Sequence, residues 1–285
     1  MRSLFIQLLK LFSALFRLTR FWNLVIIGLS QYFTAYFLIG SHTLMDWRLL
    51  LLSTSTMMIA AAGYIINDYY DVKIDLINKP ERVVIGKGIT RRYAIFFHTV
   101  LSMSGVAIGF ILSWQIALIN FFSAFLLWLY SNNLKRLPFV GNFAIGLLTA
   151  LSILIVNILY APFNSFILIY ALFAMAITLV REIIKDMEDW KGDNSFGCRT
   201  LPIVWGIRKT KLLLYVLMML FVLLVLLLNN IYSGLPIYYF LFFLFLPMGY
   251  LIVKLRHADT IRDFKKLSSI CKLIMLLGIV SMALI

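Results

Sequence analysis

The stretch LLLLSTSTMMIAAAGYIINDYYDVKID, residues 49–75, joins an apolar run to a cluster of acidic side chains. Its first part, residues 49–66, approaches the length of a transmembrane helix, which needs about 20 mostly apolar residues. Its second part places Asp68, Asp71 and Asp75 where that helix leaves the apolar run. Acidic side chains at this depth are costly and mark candidate functional sites. The stretch therefore predicts both a membrane fold and the position of its chemistry.

The composition of the whole chain agrees with a membrane fold. Of its 285 residues, 62% are hydrophobic and 13% are charged, whereas soluble proteins carry about 25% charged residues. A soluble fold of this length has too little interior for so many apolar side chains. The composition argues against a soluble domain, a disordered chain and a disulfide scaffold. Cys198 and Cys271 are predicted to be unbridged and free of metal.

Nine apolar runs predict an all-α polytopic membrane protein with about nine transmembrane helices. The runs cover residues 21–40, 49–66, 94–113, 115–131, 141–160, 165–181, 211–229, 236–253 and 269–285. All lysines and arginines except Arg48 fall in segments that the spans place on one side. The positive-inside rule assigns that side, with the N-terminus, to the cytoplasm. We therefore expect a multi-pass plasma-membrane protein whose net charge of +14 reflects topology and lipid contact, with no nucleic-acid partner.

Residues 1–20 are predicted to form an interfacial amphipathic helix that leads into the first span. Basic residues are spread along this segment, and no small-residue cleavage site follows an apolar core. The pattern is therefore not that of a cleaved secretory signal. The whole chain, residues 1–285, is predicted to form a single domain.

Two acidic sets are the candidate chemical centre. Asn67, Asp71 and Asp75 are spaced i, i+4, i+8 and share one face if the helix continues. The second set, at the end of the sixth run, is spaced i, i+4, i+7, i+11 and comprises Glu182, Asp186, Asp189 and Asp193. Like charges at this spacing repel, and a hard cation such as Mg²⁺ removes that cost through oxygen ligands.

The two acidic sets are expected to face each other across a cavity and to hold two or three Mg²⁺ ions. Such a centre suits a diphosphate, whose charge the metal ions and nearby lysines and arginines neutralise. A membrane enzyme for a diphosphate is expected to take a lipid diphosphate, because the apolar tail can lie among the helices. The bland alternative for either set alone is a solvated run of charges beside the membrane.

The chain resembles the UbiA superfamily of intramembrane prenyltransferases over nearly its whole length. NDYYDVKIDLINKPERVV (67–84) resembles the first acidic motif of the family, and REIIKDMEDWKGDNSFGCRTLP (181–202) resembles the second. YSNNLKR (130–136) resembles the family's Tyr-x-x-x-Leu-Lys segment. LTRFWN (18–23) resembles its Leu-x-Arg-Pro-x-Asn motif, with Phe21 in place of the proline.

The resemblance implies a nine-helix bundle around a central cavity and Mg²⁺-dependent transfer of a prenyl group from an allylic diphosphate to a lipophilic acceptor. The metal ligands that it implies are Asn67, Asp71, Asp75, Asp186, Asp189 and Asp193. The residues that it implies for diphosphate binding are Arg20, Asn23, Arg82, Tyr130 and Lys135. The residues expected to act in catalysis are Asn67, Asp71, Asp186, Lys135 and Lys185.

The acceptor remains open between two branches of the family. The second motif is most similar to the digeranylgeranylglyceryl phosphate synthase branch, which joins a geranylgeranyl group to the hydroxyl of an isoprenoid glycerol phosphate. The alternative is an aromatic acceptor of a quinone, chlorophyll or haem pathway, because the tail of the motif recurs in such branches. Two alternatives belong to other functional classes. A cation-coupled transporter would have ionisable residues near the bilayer midplane and an inverted repeat. A non-catalytic lipid-binding scaffold would not need both acidic sets.

Overall fold

The computed structural model describes residues 13–81, 83–160, 163–231 and 237–285, and these residues form long α-helices. We number the longer helices along the chain. They are α1 (Phe21–Phe33), α2 (Trp47–Asn78), α3 (Arg91–Leu112), α4 (Trp114–Asn132), α5 (Val140–Leu159), α6 (Ser165–Glu188), α7 (Gly206–Ile231), α8 (Leu246–Arg256) and α9 (Ile261–Ser281). The all-α class predicted from the sequence is confirmed.

Eight helices of the described chain are long and apolar enough to cross a membrane. They coincide with eight of the nine predicted spans, the first span being α1 continued by the π-helical segment Thr34–Ile39, and α2, α6, α7 and α9 are longer than predicted. The remaining run, 236–253, is helical in three consecutive segments: Ile237–Tyr239, the π-helical Phe240–Phe245, and α8. The acidic motifs therefore begin within the same helices that carry the apolar spans.

Side-chain caps set where several of these helices begin. The carboxylate of Asp46 accepts the backbone N–H of Arg48 at the start of α2. Asn164 caps α6, and Thr260 forms a capping box with Asp263 at the start of α9. These polar side chains satisfy backbone N–H groups that have no partner within the helix. The helix boundaries therefore follow from local sequence as well as from hydropathy.

The described residues divide into two compact units. The first unit comprises the residues up to Leu29 together with Asp46–Leu134, and the second comprises Ser30–Met45 and Lys135–Ile285. In the first unit, α2, α3 and α4 pack on one another. The buried amide of Asn120 donates to the backbone carbonyl of Gly105 and to the hydroxyl of Ser55. This polar junction holds the three helices together where hydrophobic burial between apolar helices adds little.

The N-terminal part of the first unit packs against α2 and the loop that follows α2. Residues 13–18 are helical, and Leu18 is fully buried in a small core with Ile65 of α2. Ile85 and Ile89, from the loop between α2 and α3, complete this core. The predicted interfacial helix also includes residues 1–12, which lie outside the described residues. The segment that leads into α1 is thereby fixed next to the end of α2.

In the second unit, α6 packs against α5, α7 and α9. Ile183 and Ile184, near the end of α6, are fully buried. Near the start of α6, the hydroxyl of Tyr170 lies 2.9 Å from that of Ser281 in α9. The end of α6 that bears the second acidic motif is therefore anchored by packing immediately before its carboxylates.

Candidate active site at two acidic helix ends

The first acidic motif lies on the last turns of α2. The helix continues from the apolar span through Asn67, Asp71 and Asp75 and ends at Asn78, which confirms the predicted shared face. The side-chain amide nitrogen of Asn67 donates to Asp71 Oδ2 at 2.9 Å. This bond fixes the orientation of both side chains and uses the amide nitrogen of Asn67, so that its oxygen is a candidate metal ligand.

Arg20 lies beside this motif, immediately before α1. Its guanidinium donates to Asp68 Oδ1 at 2.8 Å and lies 5.0 Å from the centre of the Tyr64 ring. Burial works against the charged form, but Asp68, with a smaller contribution from Asp75, raises the pKa of Arg20 above its ordinary value. Arg20 is therefore a permanent cation beside the first carboxylates.

The backbone of Arg20 adopts a left-handed conformation with φ 52°. Its carbonyl oxygen accepts the backbone N–H of Asn23 at 2.7 Å. This turn places Asn23 in the first turn of α1 and Arg20 before it. A proline at position 21 would restrict the conformation of Arg20, so Phe21 is consistent with the turn that is observed.

The other diphosphate-binding residues predicted near the first motif have different placements. Arg82 lies outside the described residues. Tyr130 is half-buried near the end of α4. Sequence reasoning did not single out Arg91, whose guanidinium lies 4.5 Å from the centre of the Tyr69 ring. Arg91 lies in the loop before the third predicted span, and no pattern in the sequence connects it with Tyr69.

The second acidic motif begins on the last turns of α6. Asp186 Oδ2 accepts the side-chain amide of Asn142 at 2.8 Å. Asn142 is buried near the start of α5, and sequence reasoning missed it. Its signal was a polar amide at the start of the apolar run 141–160. Both acidic motifs therefore contain a carboxylate that is oriented by an asparagine amide.

The predicted single helical face from Glu182 to Asp193 is wrong in one respect. The α6 helix ends at Glu188, Asp189 caps it, and a separate short helix, Trp190–Ser195, carries Asp193. The chain then folds back, because the backbone N–H of Cys198 donates to the carbonyl of Asp193 at 3.0 Å. Gly197 has φ +69° in this turn, a conformation that favours glycine. A continuous α6 would not permit this reversal.

The carboxylates of the second motif have two kinds of environment. The carboxylate of Asp186 is close enough to those of Glu182 and Asp193 to be repelled by both. Glu182 is buried, and it pairs with Arg181 and with the ammonium of Lys185. Glu182 is thus neutralised by neighbouring cations, whereas Asp186 is held by a neutral amide.

Lys135 lies in the short 3₁₀ helix Leu134–Arg136 that follows α4. The carbonyl of Arg136 accepts the backbone N–H of Arg199 at 2.8 Å. This bond joins the segment of Lys135 to the tail of the second acidic motif. Lys135 is therefore tied through the backbone to the same unit as Asp186.

The donor set of both motifs fits Mg²⁺. The side chains concerned offer carboxylate and amide oxygens, which this ion prefers. Among the described residues, no group of three or more His, Cys, Asp or Glu side chains forms a ready-made metal cage. Mg²⁺ is commonly held by one or two carboxylates together with substrate phosphates and water. The carboxylates of either motif therefore fit an ion that takes the rest of its ligands from water or from substrate phosphates.

Comparison with protein families and relatives gives one consistent result. The model of the UbiA prenyltransferase family matches residues 29–276. The digeranylgeranylglyceryl phosphate synthase of Methanoregula boonei is 38% identical over 205 residues, which are 70% of this chain and 71% of that protein. The protein of the same name from Saccharolobus solfataricus is 31% identical over 253 residues, 87% and 88% of the two chains.

Solved structures share the fold. A structure described for digeranylgeranylglyceryl phosphate synthase in membranes matches 96% of this chain and 99% of its own, with a TM-score of 0.72 and 26% identity. A UbiA homologue from Archaeoglobus fulgidus, bound to DMAPP and Mg²⁺, matches 95% and 99% of the two chains with a TM-score of 0.61. At 14% identity, this second likeness is a likeness of fold.

Proposed function

The chain belongs to the UbiA prenyltransferase family, and we propose that it transfers a geranylgeranyl group from geranylgeranyl diphosphate to the hydroxyl of geranylgeranylglyceryl phosphate. It is a multi-pass membrane protein, and we place its acidic helix ends at the cytoplasmic face of the plasma membrane. The relatives that carry the name digeranylgeranylglyceryl phosphate synthase support the acceptor. The one-sided distribution of lysine and arginine supports the orientation.

One observation carries the proposal: each acidic motif has a carboxylate oriented by an asparagine amide at a helix end. Asn67 orients Asp71, and Asn142 orients Asp186. Oxygen ligands fixed in this way suit Mg²⁺, which demands near-ideal octahedral geometry. When bound, Mg²⁺ supplies positive charge that stabilises the leaving diphosphate.

The cations beside the carboxylates are proposed to bind the diphosphate. Arg20, held by Asp68, and Lys185, held by Glu182, are fixed before substrate arrives. Lys135, Arg82, Asn23 and Tyr130 complete the diphosphate-binding set. Donors that are already in place stabilise developing negative charge without reorganising during the reaction.

The reaction breaks the bond between the allylic carbon and the diphosphate oxygen, and it forms an ether bond to the acceptor oxygen. The hydroxyl proton is released, and diphosphate leaves. Aromatic faces are suited to stabilise allylic positive charge. Enclosure among apolar helices excludes water, which protects the cation from hydrolysis.

A reconstitution assay tests this proposal. The purified chain in phospholipid nanodiscs receives Mg²⁺, labelled geranylgeranyl diphosphate and a panel of acceptors. We expect coupling to geranylgeranylglyceryl phosphate and a fall of about 100-fold or more in Asp71→Asn and Asp186→Asn, since metal-assisted charge stabilisation is worth several kcal/mol. Asp259→Asn is the matched control, because Asp259 is 80% exposed in a surface pair with Lys211.

Two results would contradict the proposal in different ways. Coupling to 4-hydroxybenzoate, homogentisate or haem, but not to the glycerol phosphate lipid, would replace the acceptor and keep the enzyme class. Failure to release diphosphate with every acceptor, while Asp71→Asn and Asp186→Asn alter cation transport in vesicles, would favour the transporter.

A further inference from the structure

Glu182 is a buried carboxylate whose two oxygens are both engaged by cations. Its Oε2 accepts from the ammonium of Lys185 at 3.0 Å, and its Oε1 pairs with the guanidinium of Arg181. The Glu182 side chain is 8% exposed, compared with 26% for Lys185. With both oxygens occupied in this way, Glu182 differs from Asp186, which accepts from a neutral amide.

The position of Glu182 is electrostatically costly, because it is buried and close to a second carboxylate. It lies one helical turn before Asp186, and the two carboxylates repel each other. A buried charge persists when partners compensate for its lost hydration. Arg181 and Lys185 provide that compensation, and the pairing determines where the Lys185 ammonium lies.

Lys185 has competing carboxylates on α6 and at the C-cap of this helix. Glu182 lies three residues before it, Asp186 follows it directly, and Asp189 lies four residues after it. Residues three or four apart on a helix are within ion-pairing reach, and the pair of Arg181 with Glu182 shows that adjacent side chains of α6 pair as well. A lysine that pairs with Asp186 or Asp189 would occupy oxygens that a metal ion needs.

We propose that Glu182 is a positioning residue that holds the Lys185 ammonium one turn before Asp186, so that the Asp186 carboxylate stays open to Mg²⁺. An ammonium has three N–H donors, and the pair with Glu182 uses one of them. The others remain for the diphosphate. This inference rests on the proposed function for the roles of Asp186 and Lys185, and it assigns Glu182 no contact with metal or substrate.

A double-mutant cycle on metal binding tests the inference. The four full-length proteins are the wild type, Glu182→Gln, Lys185→Met and the double variant, each in phosphatidylcholine nanodiscs without diphosphate. Mn²⁺ replaces Mg²⁺ as the probe, and electron paramagnetic resonance measures the free ion. Thermal unfolding checks that each protein is folded, and Asp259→Asn serves as the matched control.

The expected pattern is non-additive. Glu182→Gln releases Lys185 to pair with Asp186 and raises the Mn²⁺ dissociation constant about tenfold, the factor that corresponds to 1.4 kcal/mol of competition. Lys185→Met alone changes this constant less than about twofold, and the double variant returns to within about twofold of the wild type. In the transfer assay, excess Mg²⁺ rescues the rate of Glu182→Gln, which a merely structural defect would not allow.

Additive effects of the two substitutions on the Mn²⁺ dissociation constant would overturn the inference. They would mean that the Glu182 charge acts on the metal ion independently of Lys185. An unchanged dissociation constant in Glu182→Gln would also overturn it. If Glu182→Gln does not fold, Glu182→Asp takes its place, since the shorter side chain cannot maintain the pair at 3.0 Å. A wild type that binds Mn²⁺ but transfers no prenyl group contradicts the proposed function alone, and the cycle still decides the role of Glu182.

Discussion

Replacing Asn142 by alanine is expected to lower prenyl transfer by about 10- to 100-fold while the protein stays folded. The buried amide of Asn142 donates to Asp186 Oδ2 at 2.8 Å. A hydrogen bond to a charged group is worth about 1.5–3 kcal/mol, and each 1.4 kcal/mol is about a factor of ten. Without the amide, the Asp186 carboxylate is no longer oriented, so the loss falls on Mg²⁺ binding and on stabilisation of the leaving diphosphate.

The measurement is kcat/KM for geranylgeranyl diphosphate over a range of Mg²⁺ concentrations. Asn157→Ala is the matched control, because Asn157 lies on the same helix, about 22 Å further along its axis. Its amide joins the loop before α6 through Asn164. Asn157→Ala is expected to lower Tm and to keep the Mg²⁺ requirement of the wild type. If both variants show the same Mg²⁺ requirement, the orienting role of Asn142 is refuted.

Three further predictions concern other residues and the metal. Arg20→Gln is expected to raise the KM for geranylgeranyl diphosphate about tenfold through the loss of one charged hydrogen bond, with partial recovery in Arg20→Lys; an unchanged KM in steady-state kinetics would contradict this. Gly109→Ala is expected to lower Tm, because a Cβ would lie 2.9 Å from Ala117 Cα and overpacking costs about 1–3 kcal/mol; Gly249→Ala, with open space around it, should not lower Tm. Chelation by EDTA is expected to abolish transfer and added Mg²⁺ to restore it, and transfer that persists in EDTA would argue against a metal requirement.

The first acidic motif could be predicted from the sequence because its geometry is local. Asn67, Asp71 and Asp75 share one helix, and i, i+4 spacing converts directly into a shared face. The spans could be predicted for the same reason, since hydropathy depends on a contiguous run. Polar residues that continue a strongly apolar run are expected to extend its helix, and α2 does extend to Asn78.

The second motif could be predicted only in part because its geometry depends on contacts between distant segments. Asp186 is oriented by Asn142, which lies in another helix, and no periodicity connects them. The interruption at Asp189 depends on a chain reversal that Gly197 permits. The pairing of Lys185 with Glu182 is one of several pairings that the acidic residues around it in the sequence allow. The expectation that the two acidic motifs face each other across a cavity stays a prediction.

The very short connection at Ser113, between α3 and α4, affects how the chain enters the bilayer during synthesis. Ser113 is the single residue between α3 and α4, and it caps both helices: its N–H bonds back to Gly109, and its hydroxyl accepts from Ile116. A connection of one residue leaves almost no polar loop to carry across the lipid. The two helices are therefore suited to insert together as a preformed hairpin, and the energetic barrier of translocating their turn is small.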